Sequence, residues 1–195
     1  MAIGRPRAFD MDKALDRALG VFWRKGYEGA TVADLTAAMG INPPSLYAAF
    51  GNKQGLFCKA LGRYKAQRDA FWTEALNAPT ARQVAEALLR GTAEFLCNPR
   101  NPRGCLAVQG ALACGDEAEA ARKELENFRI STQAAIRQRF KRALKEGDLP
   151  KGTDPAVLAR YLATVIEGMS VQAASGASRK ELKRVAETAL RVWPA

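Results

Sequence analysis

The chain has 195 residues, 48% of them hydrophobic and 26% charged, which is long enough to bury a sizeable core and too apolar for intrinsic disorder. No apolar run approaches the roughly 18 residues of a membrane span, and the opening MAIGRPRAFD has no hydrophobic stretch behind its arginines to act as a secretory signal, so a cytoplasmic protein is expected. The formal charge of +10 suggests an acidic partner such as nucleic acid, but it is divided between residues 1–75 (+4) and 76–195 (+6), so it does not locate a site.

Strand signals are scarce, whereas apolar residues recur at spacings of three and four, which predicts an all-α chain. The first helix is expected to start after Phe9 with Asp10 as its N-cap, to bury Leu15, Ala18, Leu19 and Phe22, and to end at Gly26. Thr31 opens a second helix, with Asp34 three residues on completing a capping box and Val32, Leu35 and Met39 facing inward. Gly40 is placed in a tight, left-handed turn, Ile41 pins that turn, and a short third helix carries Leu46, Tyr47 and Phe50. Because a residue before proline is biased away from the α region, Asn42 and Pro43 are expected to be lead-in and Pro44 to take the first helical position.

Gly51-Asn52 closes that helix, and Lys53 begins a long one reaching about Leu76, before the Asn77 to Thr80 break. A fifth helix follows over about 81–97, then a loop from Asn98 to Gly104 and a short helix from Cys105 to Cys114. Asp116 is expected to cap a long helix to about Lys145, Asp154 another from Pro155 to Ala174, and the last covers about 179–192. The basic runs Arg137 to Arg142 and Arg179 to Arg184 read as solvated helix faces. The cysteines Cys58, Cys97, Cys105 and Cys114 show no C-x-x-C spacing, and the chain contains no histidine. Reduced thiols with no metal and no cofactor are therefore expected.

Helix, tight turn and helix in this order suit a module whose second helix presents its N-terminal residues to base edges in the major groove, while flanking groups rest on phosphates. Ser45 can bond several bases and the proline rings can meet a thymine methyl, while Thr31, Tyr47 and Lys53 suit phosphates. The stretch FWRKGYEGATVADLTAAMGINPPSLYAAFGNKQGLF resembles the DNA-binding domain of the TetR family of transcriptional regulators. Phe22, Gly26, Tyr27, Thr31, Val32, Leu35, Gly40, Ile41, Leu46, Tyr47, Phe50, Lys53 and Leu56 carry that likeness.

The resemblance assigns DNA contacts to Thr31, Pro43, Pro44, Ser45, Tyr47 and Lys53. Ala48 and Ala49 stand where the family often has larger or polar side chains. Arg5 and Arg7, on a proline-stiffened arm, suit a narrow minor groove.

It further implies a helix-turn-helix domain over residues 1–52 and a helical ligand-binding and dimerisation domain over 53–195. The protein is then expected to be a homodimeric repressor that leaves its double-stranded operator when a small apolar or aromatic ligand binds. Phe71, Trp72, Phe95, Cys105, Leu112, Phe128 and Tyr161 are candidates for the ligand site. Ala159, Ala163, Ile166, Leu182, Val185 and Ala189 are candidates for the dimer interface. Cys105 follows Arg100 and Arg103 at a helix start, a setting that favours a reactive thiol, so oxidant or electrophile sensing is an alternative signal. Two other classes are weaker. A helical enzyme lacks any recognisable catalytic constellation, and a non-specific architectural DNA-binding protein has no use for so elaborate a C-terminal half.

Overall fold

In the computed structural model, which describes residues 9–112 and 118–194 but not the side chains of 111 and 112, every regular element is helical. The helices are α1 (Met11–Gly29), α2 (Val32–Met39), α3 (Pro43–Phe50), α4 (Lys53–Leu76), α5 (Ala81–Leu96), α6 (Leu106–Leu112), α7 (Glu119–Lys145), α8 (Pro155–Ala174) and α9 (Arg179–Arg191). The expected arm with Arg5 and Arg7, the Asp116 cap and Cys114 fall outside the described residues.

Side-chain caps set most of the boundaries. Asp10 accepts from the N–H groups of Asp12 and Lys13, Asp154 from those of Ala156 and Val157, and Asn52 from that of Gly55. Capping boxes start α2 (Thr31 with Asp34), α5 (Thr80 with Gln83) and α9 (Ser178 with Glu181). Gly26, at φ 71° and ψ 179°, breaks α1 before a last turn to Gly29.

One expected helix start is corrected. Asn42, not Pro43, is the N-cap of α3: its side chain accepts from the Ser45 N–H at 2.9 Å, and its carbonyl takes the first helical bond from Leu46. Pro43 therefore occupies the first helical position, where its fixed φ fits and no N–H is needed, and this cap outweighs the pre-proline bias. In α7 the N-cap position is Ala118, which makes no side-chain capping bond.

Two apolar clusters organise the packing. The first joins α1, α2, α3 and the first half of α4 to α6 and the start of α7, with Phe22, Leu35, Leu46, Phe57, Leu61 and Tyr64 at its centre. The second joins the end of α4 to α5, α7, α8 and α9 around Leu88, Phe140, Leu162 and Trp193. The first cluster thus runs past residue 52 as far as Tyr64 and takes in residues of α6 and α7. Helix α4 belongs to both clusters, and Phe95 and Cys105 pack against both. Arg63 of α4 ties it to α1 through a two-pronged contact with Asp16.

At the far end of α4, Arg139 departs from the solvated-face reading of its basic run, being only 6% exposed. Its guanidinium reaches across from α7 and donates to the carbonyls of Leu76, Ala78 and Pro79 at 2.8–3.1 Å. Leu76 is the last residue of α4, whose carbonyl has no intrahelical partner, and Ala78 and Pro79 lie in the loop just beyond, so a buried cation is well placed there.

The box at α2 has a measurable electrostatic signature. The Asp34 carboxylate receives Lys25 Nζ at 2.7 Å and accepts from the Thr31 hydroxyl and N–H, and these contacts hold its pKa at about 2, below the ordinary 3.8. A value depressed by folding contributes stability above pH 3.8 and loses it as the pH falls toward 2. Carboxyl carbon NMR is expected to show Asp34 titrating near 2, with Lys25→Met moving it upward. Titration of the unaltered protein at the ordinary aspartate value would show that this ion pair does not form in solution.

Candidate DNA-binding surface and interior cavity

Between α2 and α3, Gly40 is left-handed at φ 71° and ψ 35°, and its N–H and that of Ile41 both reach the Thr36 carbonyl. This closes the end of α2 in a turn that an L side chain rarely adopts. Leu46 and Phe50 of α3 point inward, so Asn42, Pro43, Pro44, Tyr47 and Ala48 are exposed and Ser45 is half-buried. Tyr47 is among the few large side chains left outside, at 48% exposure. The predicted contact residues Pro43, Pro44, Ser45 and Tyr47 therefore share the outward face and N-terminal end of one short helix.

Thr31 and Lys53 flank that face with their side chains already engaged. The Thr31 hydroxyl both donates to and accepts from Asp34 within the capping box. Lys53 Nζ lies 4.6 Å from the centre of the Tyr27 ring and 3.4 Å from the Glu28 carbonyl. Cation–π and carbonyl contacts of this kind fix a long side chain in direction without neutralising its charge.

A second feature lies about half-way along the molecule. A cavity of about 50 Å³ is bounded by α4, α5, α6, α7 and α8. Of the residues expected at a ligand site, Phe71, Trp72, Phe95, Phe128 and Cys105 line it. Tyr161 does not: it packs on the second cluster, with its hydroxyl 3.5 Å from the Ala189 carbonyl. The side chain of Leu112 falls outside the description.

The sequence reading missed Tyr64, Arg68, Arg129 and Glu167, which also line the cavity. The signal was present, because Tyr64, Arg68 and Trp72 recur every fourth residue and so share one face of α4.

Within this cavity the Tyr64 hydroxyl and Cys105 Sγ are 2.8 Å apart. Burial, reinforced by the neighbouring thiol, pushes the Tyr64 phenol well above its ordinary pKa, so it stays protonated. Cys105 immediately precedes α6, and its carbonyl accepts from Val108 and Gln109. The flanking Arg103 is turned away to the Ala177 carbonyl, and the cations that share the cavity wall with Cys105 are Arg68 and Arg129. One residue before Cys105, the Gly104 carbonyl accepts a buried 3.1 Å bond from Trp23 Nε1 of α1. The Trp23 ring lies edge-on to Tyr64 at 4.7 Å and stacks on Phe95 at 5.9 Å. One aromatic contact set therefore joins the cavity to the first helix of the DNA-binding unit.

The expected interface residues are redistributed. Ala159, Leu182 and Ala189 are buried in the chain's own second cluster, and Ala163 and Ile166 line the cavity. Val185 alone of the six is on the outside, at 42% exposure. Apolar stripes on α8 and α9 were visible in the sequence, but the side of each helix that the chain covers with itself was not. The outward stripes carry Val157 and Val171 on α8 and Val185 on α9, with Val192 at the C-cap of α9.

Residues 14–59 match the family profile described as bacterial regulatory proteins, tetR family, and residues 82–189 match that of the tetracyclin repressor-like C-terminal domain. The chain is 34% identical over 194 residues to the HTH-type transcriptional repressor ComR of Escherichia coli, covering 98% of this chain and 92% of that protein. Among solved structures, a cysteine mutant of the TetR family transcriptional regulator CifR complexed with 26-bp operator DNA superposes with a TM-score of 0.94 at 48% identity. That match covers 97% of this chain and all of the other. A putative TetR regulator from a Rhodococcus species superposes at 0.65 with 44% identity, covering 95% of this chain and 99% of its own.

Proposed function

The chain belongs to the TetR family of bacterial transcriptional regulators, and on that premise we propose that its homodimer represses transcription by setting α3 of each protomer into the major groove of an operator. The observation that carries this reading is the outward face of α3, where Pro43, Pro44, Ser45 and Tyr47 converge on a helix held rigid by the Asn42 cap and the Gly40 turn. With the Thr31 hydroxyl committed to Asp34, the first-turn N–H groups of α2 are what this end of the helix offers a phosphate. Lys53 adds charge beside them, and the Arg5 and Arg7 arm supplies minor-groove contacts. The dimer forms through the outward stripes of α8 and α9, so that the two α3 helices stand about 34 Å apart, one turn of DNA. The protein works in the cytoplasm, where its operator is.

The small-molecule signal enters the cavity. A ligand there spreads the helices that enclose it and displaces Gly104 and α6, and the Trp23 bond passes that displacement to α1. Release follows if the displaced arrangement holds the two α3 helices at a different spacing. A second reading of the signal is favoured by Cys105 itself, which lines the cavity beside the protonated Tyr64. There an electrophile or oxidant reacts at the thiol sulfur instead of binding reversibly.

Gel shifts with DNA from upstream of the protein's own gene are expected to show a retarded complex that random competitor does not displace, with affinity falling steeply as salt rises. Equal competition by random DNA would remove the specific-repressor reading. Trp23→Phe keeps a ring and loses the N–H, so it is expected to bind DNA as before and to respond less to the inducing signal. An unchanged response would mean that the coupling runs elsewhere. Cys105→Ser is expected to abolish release by quinones or mild peroxide if the thiol is the sensor, and to leave it intact if it is not.

A further inference from the structure

Arg68 is the one cationic side chain of α4 that the fold draws into the cavity wall. Its side chain is 12% exposed, and its guanidinium is sandwiched between the rings of Trp72 and Phe128, 4.2 Å from each. Nη1 donates to Thr132 Oγ1 at 2.9 Å, and Nη2 is 3.3 Å from an oxygen of the adjacent Asp69. Asp69 is itself 55% exposed, so much of its charge is spent on solvent. Nε of Arg68 is buried with no partner among the described residues, and so is Nε1 of Trp72. Among the described residues the charged groups lining the cavity are Arg68, Arg129 and Glu167. Arg129 is occupied at Nη1 by the Ala107 carbonyl.

A desolvated guanidinium with an open donor, next to a second open donor and between aromatic faces, is costly unless something completes it. Burial already works against its charged form, and lowers the Arg68 pKa from its ordinary value. The group that completes it is an acceptor, and the positive charge of the guanidinium itself favours an anion, since Asp69 on its other side is largely solvated. The planar fork of arginine fits a carboxylate by paired hydrogen bonds. The remaining wall, from Phe71, Phe95, Val108 and Ile136, is apolar. A cavity of about 50 Å³ has room for a few waters, against the ~300–1,000 Å³ of pockets for larger ligands. The body attached to the anion is accordingly small.

The geometry points to a small organic monocarboxylate, aromatic or short aliphatic, as the class of ligand this cavity takes, with its charge on Arg68 and the Trp72 N–H. The inference rests on the cavity being the ligand site, and narrows an apolar or aromatic ligand to one with an anionic end.

The test measures binding to the full-length protein by calorimetry and thermal shift, using butyrate, hexanoate, benzoate and phenylacetate, each paired with its primary amide. At least one carboxylate is expected to bind and stabilise the protein, with its amide about ten-fold weaker or worse. Arg68→Lys retains the preference, Arg68→Met erases it, and Trp72→Phe weakens the carboxylate by a smaller factor. The comparison of carboxylate with amide in the unaltered protein stands even if Arg68→Met does not fold. An amide that binds as tightly as its acid, with the bound amide lost on obstructing the cavity by Ala163→Phe, overturns the anion and keeps the cavity. If neither series binds, both readings fall.

Discussion

The hydrogen bond from the Trp23 indole to the Gly104 carbonyl is the contact on which the rest of the arrangement turns. It is buried, it spans 81 residues of sequence, and it joins a helix of the DNA-binding unit to the peptide that precedes α6. Around it, Trp23, Tyr64 and Phe95 meet within 4.7–5.9 Å of one another. Aromatic edges and faces at these separations prefer particular orientations, so a rotation of one ring is felt by the next. Tyr64 faces the cavity and Phe95 borders both apolar clusters. Cavity and DNA-binding unit are thus parts of one packed body without a linker between them, and packed interiors shift between discrete arrangements more readily than they deform smoothly.

The DNA-facing surface is built with few specific groups. Leu46 and Phe50 are used to seat α3, Ala48 contributes only a methyl group to its outer face, and Tyr47 and Ser45 are left as the hydrogen-bonding side chains of that face. What the helix lacks in reading groups it has in rigidity: two prolines, a side-chain cap and a left-handed glycine fix its approach. Ordering costs are then small on binding. If α3 reads the operator as proposed, phosphate contacts and local DNA shape carry a correspondingly larger share of discrimination.

Much of the fold was legible in the residues because local chemistry decides it. Asp10, Thr31 with Asp34, Gly40 and Asp154 act within a few residues of themselves, and each sits where its pattern places it. Pro43 was misplaced because two local rules competed there, and the Asn42 cap outweighed the pre-proline bias. The cavity was half legible: aromatic residues of α4, α5 and α7 converge on it, but an arginine within an aromatic stripe reads as a solvated position until its neighbours are known. Ala159, Leu182 and Ala189 show the same limit from the other side. A periodic apolar stripe says that a helix face is covered and is silent on whether its own chain or another copy covers it.

Arg139 gives α4 a fixed end. With its guanidinium on the carbonyls of Leu76, Ala78 and Pro79, the last turn of that helix is fastened to α7, while the first turn lies against the DNA-binding helices. A rod held at one end moves as a lever. Over 24 residues, about 36 Å at 1.5 Å each, a tilt of about 5° carries the free tip roughly 3 Å. The cavity lies between pivot and tip, so under the proposed function a wedge of one or two ångströms there would be multiplied at the DNA-binding end.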